Sequence, residues 1–279
     1  MKMDFPVAKT VNARSSVRTY ENRDLSANEK AQINAYIDNL SNPFSSDVTF
    51  RLLEKASSTH GEKLGTYGVI KGAGNYIAAS AAEKELALEA LGYSFEKLIL
   101  YATSLGLGTC WLGGTFNRSG FAAAMNLKEG DLFPCISPIG YPAGKKSTIE
   151  SLMRWVSKAD QRKEWSELFF KQNFSRPLTK DDAGEFAFPL EMVHLAPSAV
   201  NKQPWRIVQE NDAYHFYLAR SLKSDNEKVD LQRVDMGIAT CHFHMAVLEK
   251  ELPGKFQKLA KPGIQSPEQM QYIYSWIPG

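Results

Sequence analysis

The spacing of apolar residues predicts two long amphipathic helices, one in each half of the chain. In residues 81–105 and again in residues 231–251, apolar side chains recur at steps of three and four, the period of one helix face. Leu91-Gly92 and Met236-Gly237 occupy similar places in the two helices. The similarity indicates a weak internal duplication, for which a chance likeness of two amphipathic helices is the alternative.

Shorter predicted elements surround these helices. Ser26 followed by Glu29 is typical of a helix start, and residues 26–40 carry an apolar helical face. A second short helix is predicted at residues 119–125. Apolar runs bounded by turn residues predict strands at 48–53, 67–70, 135–139, 205–209 and 214–218. The charged residues 147–171, with Trp155 and Trp165 as anchors, are predicted to form a helix that joins the two halves.

Composition and charge exclude several classes of function. With 279 residues, 43% of them hydrophobic, the chain can form one large or two small globular domains. A net charge of +2 and the lack of a long basic run argue against a nucleic-acid partner. Three separated cysteines, Cys110, Cys135 and Cys241, indicate a reducing compartment. We find no signal-peptide pattern and no membrane span, so we expect a cytoplasmic protein without a membrane partner.

Residues 196–205, with the sequence APSAVNKQPW, predict a rigid loop. Two prolines fix φ and remove backbone donors, so the segment suits neither a helix nor a central strand. Its side-chain amides and Trp205 suit a flat ligand with polar edges. A structural turn that leads into the next strand is the alternative, because proline and asparagine mark turns generally.

Residues 14–20, with the sequence RSSVRTY, predict an anion site. In an extended segment, Arg14, Ser16 and Arg18 fall on one face, where two guanidinium groups and a hydroxyl can hold a phosphate. A solvated basic edge is the alternative. Lys145 and Lys146 can add charge to the same phosphate, or they are ordinary surface lysines.

The glycine-rich residues 106–114 follow the first long helix and permit close approach of a ligand to the backbone. Their spacing matches neither a dinucleotide-binding fingerprint nor a phosphate-binding P-loop. A helix stop before a buried strand is the alternative. Two other features of the sequence give weaker evidence of function. His242 and His244 fall on different faces of the second long helix, which argues against a metal site, and Cys110 is expected to be a small buried residue.

Taken together, these motifs resemble the nitroreductase family of FMN-dependent oxidoreductases. The residues that carry the resemblance are RSSVR near the start, LGLGTCWLGG after a long helix, GYP before the lysines, and PSAVNKQPW. More narrowly, the chain is similar to the branch in which two family-like halves occur in one chain. The resemblance implies an α+β nitroreductase-like fold in which the halves 1–160 and 161–279 form a pseudo-dimer.

The resemblance also implies a cofactor site. FMN phosphate would be held by Arg14, Ser16 and Arg18, with Ser15 nearby and Lys145 and Lys146 as looser matches. Backbone of the glycine-rich turn would lie near the reactive edge of the flavin, and the proline loop would contact the flavin from the other half. Those residues are Leu112, Gly113 and Gly114 in the turn and Pro197, Ser198, Ala199 and Asn201 in the loop. Because the flavin carries the chemistry, no catalytic side chain is expected.

The chain departs from the family pattern in one informative way. Residues 41–46 lack the Asn-x-Gln-Pro-Trp part, and the second half lacks a copy of the arginine segment. We therefore expect one FMN per chain, in a monomer built as a pseudo-dimer or in a weak homodimer. Electrons would pass from NADH or NADPH through the flavin to a small-molecule acceptor. The alternatives are a non-catalytic flavin-binding storage or sensor protein, an enzyme for one dedicated metabolite, and a flavin-free scaffold.

Overall fold

Two sheets and a pair of long helices form the framework of the computed structural model, which describes residues 4–55, 64–144, 161–221, 229–260 and 262–279. In these ranges the helices are α1 (Val7–Ala13), α2 (Ala27–Asp38), α3 (Ala87–Ser104), α4 (Arg118–Met125), α5 (Trp165–Leu168), α6 (Lys180–Ala183), α7 (Ala187–His194) and α8 (Leu231–Glu249). The strands are β1 (Thr49–Glu54), β2 (Asn75–Ser80), β3 (Gly108–Thr109), β4 (Ile136–Gly140), β5 (Phe169–Lys171), β6 (Trp205–Glu210), β7 (Ala213–Ala219), β8 (Gly254–Gln257) and β9 (Met270–Pro278).

The two halves share one strand topology. The first sheet has the order β1-β2-β4-β3, and the second has the order β6-β7-β9-β8 with β5 added beside β6. All corresponding neighbours are antiparallel, whereas β5 runs parallel to β6. In each half, a long helix follows the second strand of the set: α3 follows β2, and α8 follows β7. The predicted α+β fold with two similar halves is confirmed.

The long helices α3 and α8 cross at a pair of glycines. A side-chain carbon on Gly92 would overlap the carbonyl oxygen of Val234, and one on Gly237 would overlap the carbonyl oxygen of Glu89. Only glycine permits backbones to approach this closely. The main hydrophobic core continues through this crossing, since buried residues of both helices and both sheets belong to it. The two halves therefore fold around a shared core.

Local sequence signals predict several elements correctly. Ser26 Oγ accepts a hydrogen bond from the backbone N–H of Glu29 at 3.2 Å, while Glu29 Oε2 accepts one from the backbone N–H of Ser26 at 2.8 Å. This capping box begins α2 as predicted. Gly106, with a φ of 80°, lies just after the last residue of α3 and terminates this helix. The predicted strands near β1, β4, β6 and β7 and the helix near α4 are confirmed with small shifts at their ends.

Other elements differ from the prediction. Residues 67–70 do not form a strand, because Tyr67 and Gly68 both have positive φ and make a turn. The strand in this part of the chain is β2. It is buried at every position, so its sequence shows no alternation of apolar and polar residues. Helix α3 begins at Ala87 rather than at residue 81. Of the predicted joining helix, residues 147–160 lie outside the described residues, and Phe169–Lys171 is a strand.

Candidate active site

A cavity of about 480 Å³ lies between the two halves and is lined by residues of both. It brings together the three segments that the sequence predicts for the site. The predicted residues that line it are Arg14, Ser15, Ser16, Arg18, Leu112, Gly113, Gly114, Pro197, Ser198, Ala199 and Asn201. Lys145 and Lys146 lie outside the described residues, and their role stays a prediction.

The arginine segment enters the cavity wall in an extended conformation. Its backbone is fixed at both ends: the N–H of Val17 donates to the carbonyl of Thr109 at 2.8 Å, and the N–H of Tyr20 donates to the carbonyl of Lys71 at 2.8 Å. Buried guanidinium nitrogens without a hydrogen-bond partner in the described part of the chain are Arg14 Nε, Arg18 Nε and Arg18 Nη1. Unsatisfied buried donors are costly, so this wall of the cavity suits an anionic ligand with several acceptor oxygens.

The glycine-rich turn forms a second wall. The backbone N–H of Leu112 donates to the carbonyl of Ile136 at 2.9 Å, and Arg118 Nη2 donates to the carbonyl of Gly113 at 3.1 Å. A Cβ added to Gly113 would come within 2.7 Å of Leu231 Cδ1, whereas Gly114 has open space beside it. Gly113 therefore lets α8 approach the turn. Cys110 is buried, as predicted.

The proline loop closes the cavity from the second half. Val200 and Asn201 have positive φ, so the loop is neither helical nor extended there. Ser198 Oγ accepts a hydrogen bond from the N–H of Gln203 at 2.8 Å, which holds the turn together. Trp205 differs from the prediction: its side chain is fully buried in the core and does not line the cavity. It anchors the loop rather than presenting a ring to a ligand.

Arg162 is a cavity residue that the sequence analysis missed. Its Nη1 donates to the carbonyl of Ala196 at 2.8 Å, and its Nη2 donates to the carbonyl of Leu195 at 2.9 Å. Next to it, the carbonyl of Gln161 accepts a hydrogen bond from Asn201 Nδ2 at 2.6 Å. Arg162 therefore holds the base of the proline loop and also adds positive charge to the cavity wall.

Asp235 is the second missed residue, and it is an acid in an otherwise apolar stripe. Leu231, Val234, Asp235 and Ile238 lie on the cavity face of α8, with the helical spacing of three and four residues. Asp235 Oδ1 and Oδ2 accept the N–H of Ala199 at 2.9 and 3.1 Å, which fixes the proline loop from this side. Burial raises the pKa of the Asp235 carboxyl well above its usual range, and the Ala199 N–H offsets only part of the rise. An acidic residue within an apolar helical face is a signal that the sequence offered.

The segment of the first half that corresponds in chain order to the proline loop packs against aromatic residues. Residues 41–46 precede β1 as the proline loop precedes β6. There Phe44 packs against three aromatic rings, with centroids 6.2 Å from Tyr93, 6.0 Å from Phe256 and 5.0 Å from Tyr274. The counterpart of the proline loop therefore takes part in aromatic packing.

The sequence matches a known protein family. A family profile described as "Putative TM nitroreductase" matches residues 6–247, most of the chain. The chain belongs to this nitroreductase family. A solved structure described as a putative nitroreductase from Thermotoga maritima MSB8 has a TM-score of 0.62 at 21% identity, covering 99% of this chain and 95% of that one. No curated protein matches the chain.

Smaller nitroreductases match about half of this family member. The structure described as a nitroreductase with bound FMN from Bacteroides fragilis NCTC 9343 has a TM-score of 0.41 at 20% identity, covering 51% of this chain and 91% of that one. One described as a putative NADH dehydrogenase/NAD(P)H nitroreductase from Bacteroides thetaiotaomicron VPI-5482 has a TM-score of 0.41 at 22% identity, covering 50% and 89%. In the described part of this nitroreductase, no helix has both the length and the apolar composition needed to cross a bilayer.

Proposed function

We propose that the chain binds one FMN in the cavity between its halves and passes electrons from NADH or NADPH to a small-molecule acceptor. The observation that carries the proposal is the convergence of three segments on one cavity. The first half supplies the glycine-rich turn and two arginines whose buried nitrogens include some without a hydrogen-bond partner among the described residues, and the second half supplies the proline loop. When bound, FMN would supply the redox chemistry by accepting a hydride from the nicotinamide and delivering the electrons to the acceptor.

The residues present fit this cofactor. Arg14, Ser16 and Arg18 would hold the phosphate, since their donors match its oxygens and the buried guanidinium nitrogens need acceptors. A cavity of about 480 Å³ lies in the range of sites for small molecules and cofactors. The apolar side chains of Leu231 and Ile238 suit a flat aromatic ring, and the turn at Gly113 and Gly114 leaves its backbone accessible to the ring edge.

The protein's own groups would position the ligand and exclude water. Arg162 and Asp235 hold the proline loop from two sides through backbone hydrogen bonds. Asp235 keeps its proton to higher pH than an ordinary aspartate because burial raises its pKa. A neutral carboxyl group in the cavity wall leaves the positive charge of the arginines uncancelled. This favours an anionic ligand.

Binding is tested by titrating FMN and riboflavin into the flavin-free protein. We expect Arg18→Gln to weaken FMN binding by about tenfold or more, because a charge-assisted contact to the phosphate is lost, and to leave riboflavin binding nearly unchanged. Arg51→Gln, at an exposed arginine on β1, is the matched control. A wild-type protein that binds neither flavin would refute the proposal.

Electron transfer is tested separately in the anaerobic holoprotein. Bleaching of the flavin absorbance by NADH or NADPH, followed by recovery of colour with a quinone or a nitroaromatic compound, is the expected result. Bound flavin that neither nicotinamide bleaches would instead support a storage or sensor role. The preferred nicotinamide is the one with the higher bleaching rate at equal concentration.

A further inference from the structure

Arg118 lies outside the cavity but holds the glycine-rich turn that forms one of its walls. Its Nη2 donates to the carbonyl of Gly113 at 3.1 Å, and its Nη1 donates to the carbonyl of Phe133. The guanidinium carbon lies 4.9 Å from the ring centroid of Phe116 and 5.9 Å from that of Phe133. Gly113 lines the cavity, whereas Arg118 does not. Arg118 can therefore act on a bound ligand by contact only through the turn.

Gly113 is fixed between Arg118 and helix α8. A Cβ added to Gly113 would lie 2.7 Å from Leu231 Cδ1, so α8 packs directly against this residue. The carbonyl oxygen of Gly113 is held by Arg118. Gly114, in contrast, has open space where its Cβ would be. Of the two glycines, the protein therefore fixes the first and leaves the second accessible.

The carbonyl of Gly113 and the N–H of Gly114 belong to one peptide group. This peptide is trans, so its C=O and its N–H point in opposite directions within one plane. Because the carbonyl faces Arg118, the N–H faces away from Arg118. This N–H donates to no acceptor in the described ranges, and Gly114 lines the cavity. The turn therefore provides a backbone donor that a ligand in the cavity can use.

We propose that Arg118 is a positioning residue for the flavin ring: its guanidinium holds the Gly113 carbonyl outside the cavity and so aims the Gly114 N–H at an acceptor atom on the ring edge. The inference rests on the proposed function, because the ligand in question is the flavin. Such a donor is matched by the carbonyl oxygens and ring nitrogens at the edge of a flavin. A planar guanidinium suits the role because it donates to two carbonyls at once. Arg162 holds the proline loop in the same way, so an arginine fixes each of these two walls.

The sequence permits a direct measurement at this peptide. Gly113-Gly114 is the one Gly-Gly pair among the 19 glycines of the chain. In protein labelled with glycine that carries ¹³C at the carbonyl and ¹⁵N at the amide, Gly114 is therefore the single residue whose amide ¹⁵N is bonded to ¹³C. An HNCO spectrum detects this peptide alone. It reports both the carbonyl carbon that Arg118 holds and the N–H that would contact the flavin.

The two ends of the peptide give separate readouts. In the flavin-free protein, we expect Arg118→Gln to move the Gly113 carbonyl signal upfield, because the hydrogen bond from the guanidinium is lost. When the wild-type protein is saturated with riboflavin, which lacks the phosphate, we expect the Gly114 proton to move downfield, because the N–H gains an acceptor. Arg118→Gln should show little of this second shift. A wild-type Gly114 signal that does not move with bound riboflavin would overturn the inference, and so would a carbonyl signal unchanged in Arg118→Gln.

Ligand affinities separate the position of the turn from the charge of Arg118. Arg118→Lys keeps the positive charge but lacks the planar guanidinium that donates to two carbonyls. We expect Arg118→Lys and Arg118→Gln to weaken the binding of FMN and riboflavin alike, by about threefold to tenfold, the range for one neutral hydrogen bond. Wild-type affinity in Arg118→Lys, or a loss confined to FMN, would overturn the inference, because either result assigns the effect to charge.

Arg162→Lys is the matched control, since it loosens the other wall. Both flavins should bind this variant more weakly, yet at saturation with riboflavin its Gly114 signal should reach the wild-type position. Loss of the shift here as well would overturn the specific role of Arg118. Circular dichroism and thermal unfolding confirm that each variant is folded. If the wild-type protein binds neither flavin while Arg118→Gln still moves the carbonyl signal, the proposed function fails and the hold of Arg118 on the turn stands.

Discussion

Replacing the buried acid of the cavity wall tests the electrostatics of the site without any cofactor. In the wild-type protein, the Ala199 N–H donates to Asp235 Oδ1 at 2.9 Å. Asp235→Asn keeps the size of the side chain and an oxygen that can accept this N–H. It removes the ability to ionise and replaces one carboxyl oxygen by an NH₂ group. Burial raises the pKa of Asp235 well above the ordinary value of 3.8, so the native state keeps this proton at pH values where the unfolded chain has released it.

The sign and slope of the effect follow from proton linkage. Below about pH 3.8 both states hold the proton, so the full stability is present. Above that pH the wild-type protein loses about 1.4 kcal/mol of unfolding free energy per pH unit relative to Asp235→Asn, until pH reaches the native pKa. The extra N–H of asparagine changes the unfolding free energy by an amount that does not depend on pH. The test is therefore the slope of the free-energy difference between the two proteins against pH, not its absolute value.

The assay is urea unfolding of both flavin-free proteins from about pH 4.5 to about pH 7. The two proteins share all their other carboxyl groups. The difference between their unfolding free energies at each pH therefore excludes the contribution of those groups. Asp181→Asn, at an exposed position in the first turn of α6, is the control for the loss of a carboxyl group at the surface. A constant difference for Asp235→Asn would refute the assignment of a buried, native-state proton to this residue.

Three further outcomes follow from the contacts. Gly237→Ala pushes a methyl group against the carbonyl of Glu89, and we expect the unfolding free energy to fall by about 1–3 kcal/mol or more, measured by urea denaturation. Arg162→Lys keeps the charge but lacks the planar guanidinium, whose two nitrogens each donate to one carbonyl. FMN and riboflavin affinities should fall together by about threefold to tenfold, and a loss confined to FMN would contradict the loop-holding role. Phe44→Ala should lower the free energy of unfolding by about 2–4 kcal/mol. The flavin-to-chain ratio of this variant in a saturation titration should stay at one.

The sequence predicts correctly those features that depend on residues close together in the chain. The Ser26 and Glu29 capping box depends on residues three apart, and the helix stop at Gly106 depends on one backbone conformation. The arginine segment and the proline loop were also recognisable, because each concentrates unusual residue types in a short stretch. The cavity then brought both segments together, as the resemblance implied.

What the sequence could not predict depends on contacts distant along the chain. Strand β2 is buried on both faces, so its pattern carries no period of two. Trp205 looked like a ligand platform, yet the β6 position that holds it faces the core. Arg162 gives no local sign of its function, since the carbonyls it holds lie more than 30 residues away. The contact between His242 and Glu96 joins residues 146 positions apart, so no local pattern indicates it.

Carrying both half-sites in one chain changes what holds the cavity together. A site between two subunits exists only in the dimer, so its occupancy depends on protein concentration. Here Gly92 and Gly237 bring α3 and α8 together backbone to backbone within one chain, and folding itself joins the two walls. In the first half, Phe44 of the corresponding loop makes aromatic contacts. We propose that this loop contributes stability and that the proline loop of the second half contributes binding.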